Sequence, residues 1–335
     1  MSGVDICGFI GDIKTPEDLC ARWYQLSIFY PFARNAHSPY IGDIDNSQEP
    51  YAFTGVYDKS IQQSTNIRYS LLKHLLTLFF SKKNPSTPLG VGTVVKPLIF
   101  GFHDDPTLPP FGDVVHDHQF LYGDSIMAAP ALFKDLTSVP VYFPNCRWFD
   151  LRSRNEIKTR GKTATISATF EEAVPYFLKG GSILLTQDTK GIWSSEDLSD
   201  IFTVTIGLDD FKEGQIAEAQ GEILGLISYN EDYVFDKSAE KDCIVSIKAS
   251  YQMGDQTKLV LKATNRSAQA STDPVRINEV YILGASKDSN LKFKEAKLES
   301  HDDQKVEITT SGEWMKLTFS PIDFGNGTEY TFIFN

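Results

Sequence analysis

Hydrophobic positions along this chain follow two rhythms, and the change between them falls near Pro97. Val4 to Phe9 is a short, mostly apolar run closed by Gly8, the pattern of a parallel strand buried on both faces, with Asp5 as its one charged interruption. Thr15-Pro16-Glu17-Asp18 predicts a helix start: a hydroxyl N-cap, proline at the first helical position, and acids at the positive end of the helix dipole. Leu19, Trp23 and Leu26 then repeat at i, i+4 and i+7, which predicts one buried stripe. Ile28 to Phe32 reads as a second strand and Arg34 to Pro50 as a polar loop. A long helix is expected over Asp58 to Ser81, where Ile61, Ile67, Leu71, Leu75, Leu78 and Phe79 keep helical spacing, Lys82 and Lys83 suit the negative end and Pro85 stops it. Strand, helix, strand, helix is the order of two consecutive units of a (β/α) barrel, a fold that needs eight units to close.

Beyond Pro97, short strand-like runs separated by Gly, Pro and Asp take over. Val94 to Phe102, Phe120 to Ala129, Val139 to Phe143, Trp148 to Leu151, Thr163 to Phe170, Pro175 to Leu178 and Ser182 to Leu185 predict an antiparallel β-domain. The polar stretch from Asp188 to Asp200 marks a boundary. After it, Cys243 to Tyr251, Lys258 to Ala263, Val275 to Leu283, Lys305 to Thr310 and Lys316 to Phe319 read as strands of a second sandwich. No internal repeat or low-complexity tract interrupts this order.

At 335 residues, 41% apolar and 12% aromatic, the chain is long enough for two or three domains with real cores. A formal charge of −12 with no basic patch argues against nucleic acid or an anionic membrane as partner. No apolar run is long enough to span a bilayer, and the first residues have neither the basic nor the apolar region of a signal peptide. Taken alone, this implies a cytosolic chain. On composition, Cys7, Cys20, Cys146 and Cys243 read as reduced, mostly buried thiols.

One stretch carries more than pattern. Residues 3 to 35, GVDICGFIGDIKTPEDLCARWYQLSIFYPFARN, contain G-x-D-[IV]-C-G-F, L-C-x-R-W-x-Q-L and F-Y-P-F-x-R-N. The chain therefore resembles glycoside hydrolase family 31, the α-glucosidases, over about its first 190 residues. QFLYG, VYFP, WFD and GGSIL resemble the family's proximal β-domain, and the remainder resembles its distal domain in position and class only. The resemblance implies an α+β architecture: a partial (β/α)8 barrel in residues 1–96, its last two β/α units, then antiparallel β-sandwich-like domains at 97–195 (proximal) and 196–335 (distal). It implies hydrolysis of terminal α-linked glucose with net retention, without metal or organic cofactor. It also implies a disulfide between Cys7 and Cys20; Cys146 and Cys243 match no family bridge. Full-length relatives of this kind are often secretory or lysosomal, so the segment carrying any signal is expected to be missing here, and the sequons Asn265-Arg-Ser267 and Asn326-Gly-Thr328 are compatible with that route.

Retaining hydrolysis needs two carboxyl groups about 5–5.5 Å apart. The family nucleophile, in W-x-D-M-N-E, and the acid/base, in G-D-N, occur in neither form here, so no catalytic residue is assigned and the chain is expected to be inactive without the upstream barrel portion. Asp5, Asp12, Asp43, Asp45 and Glu49 fall in or beside strand-end loops, yet nothing in their spacing pairs two of them. The substrate-binding residues implied by resemblance are Asp5, Phe9, Arg34 and His37. Asp5 reads either as part of a sugar-binding network or as a structural acid paired with an Arg or backbone N–H; Phe9 reads as a sugar-lining ring or a core residue. Arg34-Asn35 matches the family R-N, but Ala36 stands where the family has a sugar-contacting His, and His37 follows one residue later, where an extended strand turns the side chain to the opposite face. Gln48-Glu49-Pro50 matches a family rim motif.

His116 and His118 at i, i+2 lack a third ligand, and Asp43-Ile-Asp45-Asn-Ser47 lacks the glycine and closing Glu of a calcium loop, so no metal site is assigned. No phosphate loop and no G-x-S-x-G elbow occurs. A second reading is a non-catalytic carbohydrate-binding or assembly module, which would need Trp148, Trp193 or Trp314 as exposed platforms.

Overall fold

Cys7 and Gly8 both adopt left-handed backbone conformations, φ 68° and 85°, and this ends the first expected strand after Ile6. The computed structural model describes residues 3–9, 15–36, 48–81, 92–110, 112–113, 115–211, 215–224, 244–254, 256–265, 275–285, 293, 295–299, 304–324 and 327–334. Instead of a ladder between Val4–Phe9 and Ile28–Phe32, one parallel bridge joins Asp5 to Arg34, with Ile6 N–H donating to the Arg34 carbonyl at 2.7 Å. Ile28 to Tyr30 is a helical exit turn, Phe29 N–H reaching Leu26 O and Tyr30 N–H reaching Ser27 O. The helix-terminal carbonyls there are taken by Arg68, whose Nη1 donates to Ser27, Ile28 and Tyr30 oxygens at 2.7, 3.1 and 2.8 Å.

Helix α1 (Glu17–Ser27) begins one residue later than the hydroxyl cap predicted: Pro16 is the N-cap, and Thr15 Oγ1 donates to Cys7 O at 2.6 Å. Its buried face is Cys20, Ala21, Tyr24, Gln25 and Ser27 rather than Leu19, Trp23 and Leu26; Leu19 is half exposed. The helix is rotated because Cys20 is tied inward to Cys7 and because Gln25 finds polar partners inside, Ser60 Oγ at 3.1 Å and Glu172 O at 3.4 Å. The expected long helix is two, α2 (Gly55–Ser70) and α3 (Leu72–Ser81), separated at the buried Leu71.

The rest is mostly strand: β1 (Val95–Pro97), the short helices α4 (Ile99–Phe102) and α5 (Val115–His118), β2 (Phe120–Tyr122), β3 (Ile126–Ala128), β4 (Ser138–Phe143), β5 (Trp148–Asp150), β6 (Glu156–Ile157), β7 (Lys162–Ser167), β8 (Tyr176–Lys179) and β9 (Ser182–Gln187). They are followed by β10 (Ile201–Gly207), β11 (Ile216–Leu224), β12 (Ile244–Gln252), β13 (Thr257–Asn265), β14 (Val275–Leu283), β15 (Ala296–Leu298), β16 (Glu307–Ser311), β17 (Trp314–Phe324) and β18 (Glu329–Phe334). Val94 to Phe102 is therefore not one strand. The chain coils at Ile99, and Gly101 lies so close to the Leu121 side chain that a Cβ there would collide with it.

Contacts group the chain into two compact units. The first draws on residues within 1–69, 94–145 and 159–177. It contains the antiparallel meander β1-β2-β3, the pair β4-β7, and Phe29 at the centre of an aromatic cluster, 5.7 Å from Phe120 and 5.5 Å from Tyr122, both edge-on.

The second unit draws on residues within 70–93, 146–158 and 178–335. Its main element is a ten-stranded sheet in the order β15-β18-β13-β12-β11-β9-β10-β14-β17-β16. The two edges meet in a single antiparallel bridge, Ala296 to Val306, so the sheet curves almost into a closed barrel and leaves little unpaired edge. Alternate residues such as Leu259, Leu261 and Ala263 of β13, Val280 and Ile282 of β14, and Met315, Leu317 and Phe319 of β17 fill its interior. A fully buried ring such as Phe332 contributes about 2–3 kcal/mol. Ser182–Leu185, expected in the first β-domain, belongs instead to this sheet as β9, antiparallel to β10, because its own residues are buried almost throughout and suit a central position.

Candidate functional site

Asp5 and Arg34 form a two-pronged ion pair in the first unit: Arg34 Nε donates to Asp5 Oδ1 at 2.7 Å and Nη2 to Oδ2 at 2.9 Å. The hydrogen bonds from Arg34 hold the Asp5 carboxyl below its ordinary range, and the carboxylate raises the guanidinium in turn. The pair is water-facing, the Arg34 side chain 54% exposed and Asp5 22%. Phe9 is 38% exposed, its ring centroid 5.9 Å from Arg34 Cζ. A charged fork and a partly exposed ring thus lie side by side where the N-terminal segment meets the Arg34 segment.

Behind this edge is a polar lattice. Gln48 is 4% exposed and its Nε2 donates to Gly8 O at 2.9 Å, Asn35 Oδ1 at 3.0 Å and Ala36 O at 3.2 Å. Asn35 Nδ2 donates to Tyr24 Oη at 2.8 Å and to Gln48 O at 2.7 Å. Burial pushes the Tyr24 phenol up, with the Asn35 hydrogen bond opposing it. The lattice ties the Gly8–Phe9 turn to the Arg34–Ala36 segment, and the Cys7–Cys20 disulfide, with Cα atoms 4.7 Å apart, ties the same turn to α1. The sequence reading placed Gln48 only in a rim motif; a buried amide is invisible to hydrophobic periodicity, and the sole cue was its place between Arg34-Asn35 and a proline.

His37, Asp12, Asp43 and Asp45 lie outside the described residues. Glu49 is exposed. His116 and His118 sit on helix α5; the His116 ring nitrogen Nε2 lies 2.9 Å from Pro109 O, and the His118 ring packs edge-on to Phe133. Among the described residues, no group of three or more His, Cys, Asp or Glu is arranged to hold a metal ion, and no helix is long and apolar enough to cross a membrane. Of the three tryptophans weighed as platforms, Trp148 is fully buried, Trp314 is half-buried and Trp193 is 93% exposed. Cys146 is half-buried, and Cys243 lies outside the described residues.

Residues 1–78 match the family model described as the glycosyl hydrolases family 31 TIM-barrel domain, and residues 92–184 match the glycosyl hydrolase family 31 C-terminal domain. Relatives include a lysosomal acid alpha-glucosidase of Tetrahymena pyriformis, 30% identical over 88% of this chain and 31% of its own length. Another is an alpha-glucosidase of Mucor javanicus, 35% identical over 64% of this chain and 23% of its own length. The chain thus spans about a third or less of the curated relatives it matches. Among solved structures, a glucosidase II alpha subunit aligns over 99% of this chain and 34% of its own with a TM-score of 0.71 at 20% identity. A Flavobacterium johnsoniae GH31 dextranase complexed with glucose aligns over 99% of this chain and 39% of its own with a TM-score of 0.69 at 19% identity. These likenesses show a shared fold. From the two family models, whose matches lie in the family's order along it, the chain belongs to glycosyl hydrolase family 31.

Proposed function

We propose that this chain is the C-terminal portion of an α-glucosidase-like family 31 hydrolase and supplies one wall of a sugar pocket. In this reading residues 1–96 are the end of the catalytic barrel, the stretch from 97 to 181 the proximal β-domain, and the stretch from 182 onward, with β9 in the ten-stranded sheet, the distal one. The observation that carries this reading is the Asp5–Arg34 fork beside the open Phe9 ring, on the segment matched to the TIM-barrel model. The fork holds hydroxyl groups of a terminal α-linked glucose in fixed directions, and the Phe9 face packs against sugar C–H groups. Asp5 acts here as a hydrogen-bonding anion and not as nucleophile or proton donor: its charge is committed to Arg34, and its lowered pKa keeps it without a proton to give at neutral pH.

The nucleophile and acid/base of the family come from a barrel portion whose motifs this sequence does not spell. That portion is the natural partner of this chain, and hydrolysis requires both. Positioned acid–base groups alone account for about two to four orders of magnitude in rate, so the chain by itself should not turn over substrate. Purified chain incubated with a chromogenic α-glucoside tests this: no release above the buffer rate is expected, whereas turnover abolished by Asp5→Asn overturns the assignment.

A further inference from the structure

Arg154 closes the hairpin between β5 and β6 in a left-handed conformation, φ 63°, with its N–H donating to Asp150 O at 2.6 Å. Such a position favours glycine or asparagine, and a long side chain there is held at a conformational cost. The side chain lies flat on the outer face of the ten-stranded sheet, its Cζ 4.1 Å from the Tyr281 ring centroid and 5.9 Å from that of Trp314. Tyr281 is nearly buried by this cover, while Trp314 stays half-exposed.

The neighbouring charges are already matched. Asp150 is paired with Arg152, Glu279 with Lys316, Glu156 with Arg147 and Glu313 with Lys158. Lys316 also stands over Tyr281, its Nζ 5.4 Å from the centroid, but is spent on Glu279 at 2.6 Å. Among the described residues no carboxylate pairs with the Arg154 guanidinium, so its planar fork of N–H donors is pre-oriented by the aromatic rings and open to an outside acceptor. On a chain of net charge −12 this is a local exception.

We propose that Arg154, with Trp314 beside it, forms a binding site for an oxyanion carried on a ring, such as the carboxylate of a uronic acid or the phosphate of a sugar phosphate. The guanidinium takes two oxygens of the anion side by side, a geometry an ammonium cannot reproduce. The exposed part of Trp314 takes the apolar face of the ring. This site lies in the second unit and stands independently of the glucosidase reading.

Calorimetric titration of the whole chain with methyl glucuronide, inorganic phosphate and methyl glucoside tests it. Saturable binding of glucuronide or phosphate but not of the neutral glucoside is expected, and which of the two anions binds more tightly identifies the source. Arg154→Gly, which relieves the backbone strain but uncovers Tyr281, should remain folded with an unchanged far-UV circular dichroism spectrum and weaken anion binding at least tenfold; Arg154→Lys should also weaken it. No saturable anion binding by the wild type, or equal binding by Arg154→Gly, overturns the proposal.

Discussion

Arg34 grips Asp5 through two parallel hydrogen bonds across a gap of 29 residues, and the same two residues make the parallel backbone bridge of the first unit. Side chain and main chain therefore report one event, the closure of the N-terminal segment onto the exit of α1. Replacing Arg34 with glutamine removes the cation that holds the Asp5 carboxyl down. The Asp5 pKa, followed by carbon-detected NMR, should rise towards that of an ordinary aspartate. The sign for stability follows: a depressed folded pKa contributes stability above the unfolded pKa that is lost as pH falls through the folded value, so Arg34→Gln should flatten the acid end of the stability curve.

Gln48 has a different task. Its buried amide satisfies Gly8 O, Asn35 Oδ1 and Ala36 O together, so Gln48→Leu leaves three part-buried acceptors without this donor. With water able to reach part of each, the loss falls below the full penalty for a buried group, and the first unit should lose about 1–3 kcal/mol in urea unfolding. The Phe9 and Arg34 resonances should move with it, while those of β12 and β13 stay in place.

In the second unit, burial alone pushes the His74 imidazole on α3 down to about 4. The unfolded chain binds a proton there near its ordinary value of about 6.5, so the unfolded state holds more protons between those limits. Stability should fall as pH drops from about 6.5 to about 4, by up to about 3 kcal/mol. His74→Gln should remove most of that slope, read as the thermal midpoint against pH.

The parts of the fold that were legible in sequence are those where one physical signal acts alone. Val275–Leu283 appears at its expected limits as β14, and alternation placed β12 and β13 to within two residues, whereas β17 (Trp314–Phe324) runs well past the expected Lys316–Phe319. Ile201–Gly207 and Glu329–Phe334 carry the same alternation, but a polar stretch before the first and chain-end position of the second masked them, and they became β10 and β18. Periodicity failed where a specific bond overrode it. The rotation of α1 is set by Cys20 and Gln25, neither of which an apolar stripe weighs, and the first strand stops at two left-handed residues. Asp5, Phe9 and Arg34 stood out through a motif; Gln48 and Tyr24, which hold them in place, are ordinary polar residues until the chain folds round them.

On the proposed division of labour, this chain supplies a pocket wall and the attacking carboxylate comes from the barrel portion. A retaining glycosidase traps an activated 5-fluoro-α-glucoside as a covalent glycosyl adduct on its nucleophile. Intact-mass spectrometry of the folded chain after such treatment should show the unmodified mass alone. A single stoichiometric glucosyl adduct mapping to any Asp or Glu of this chain would contradict the account.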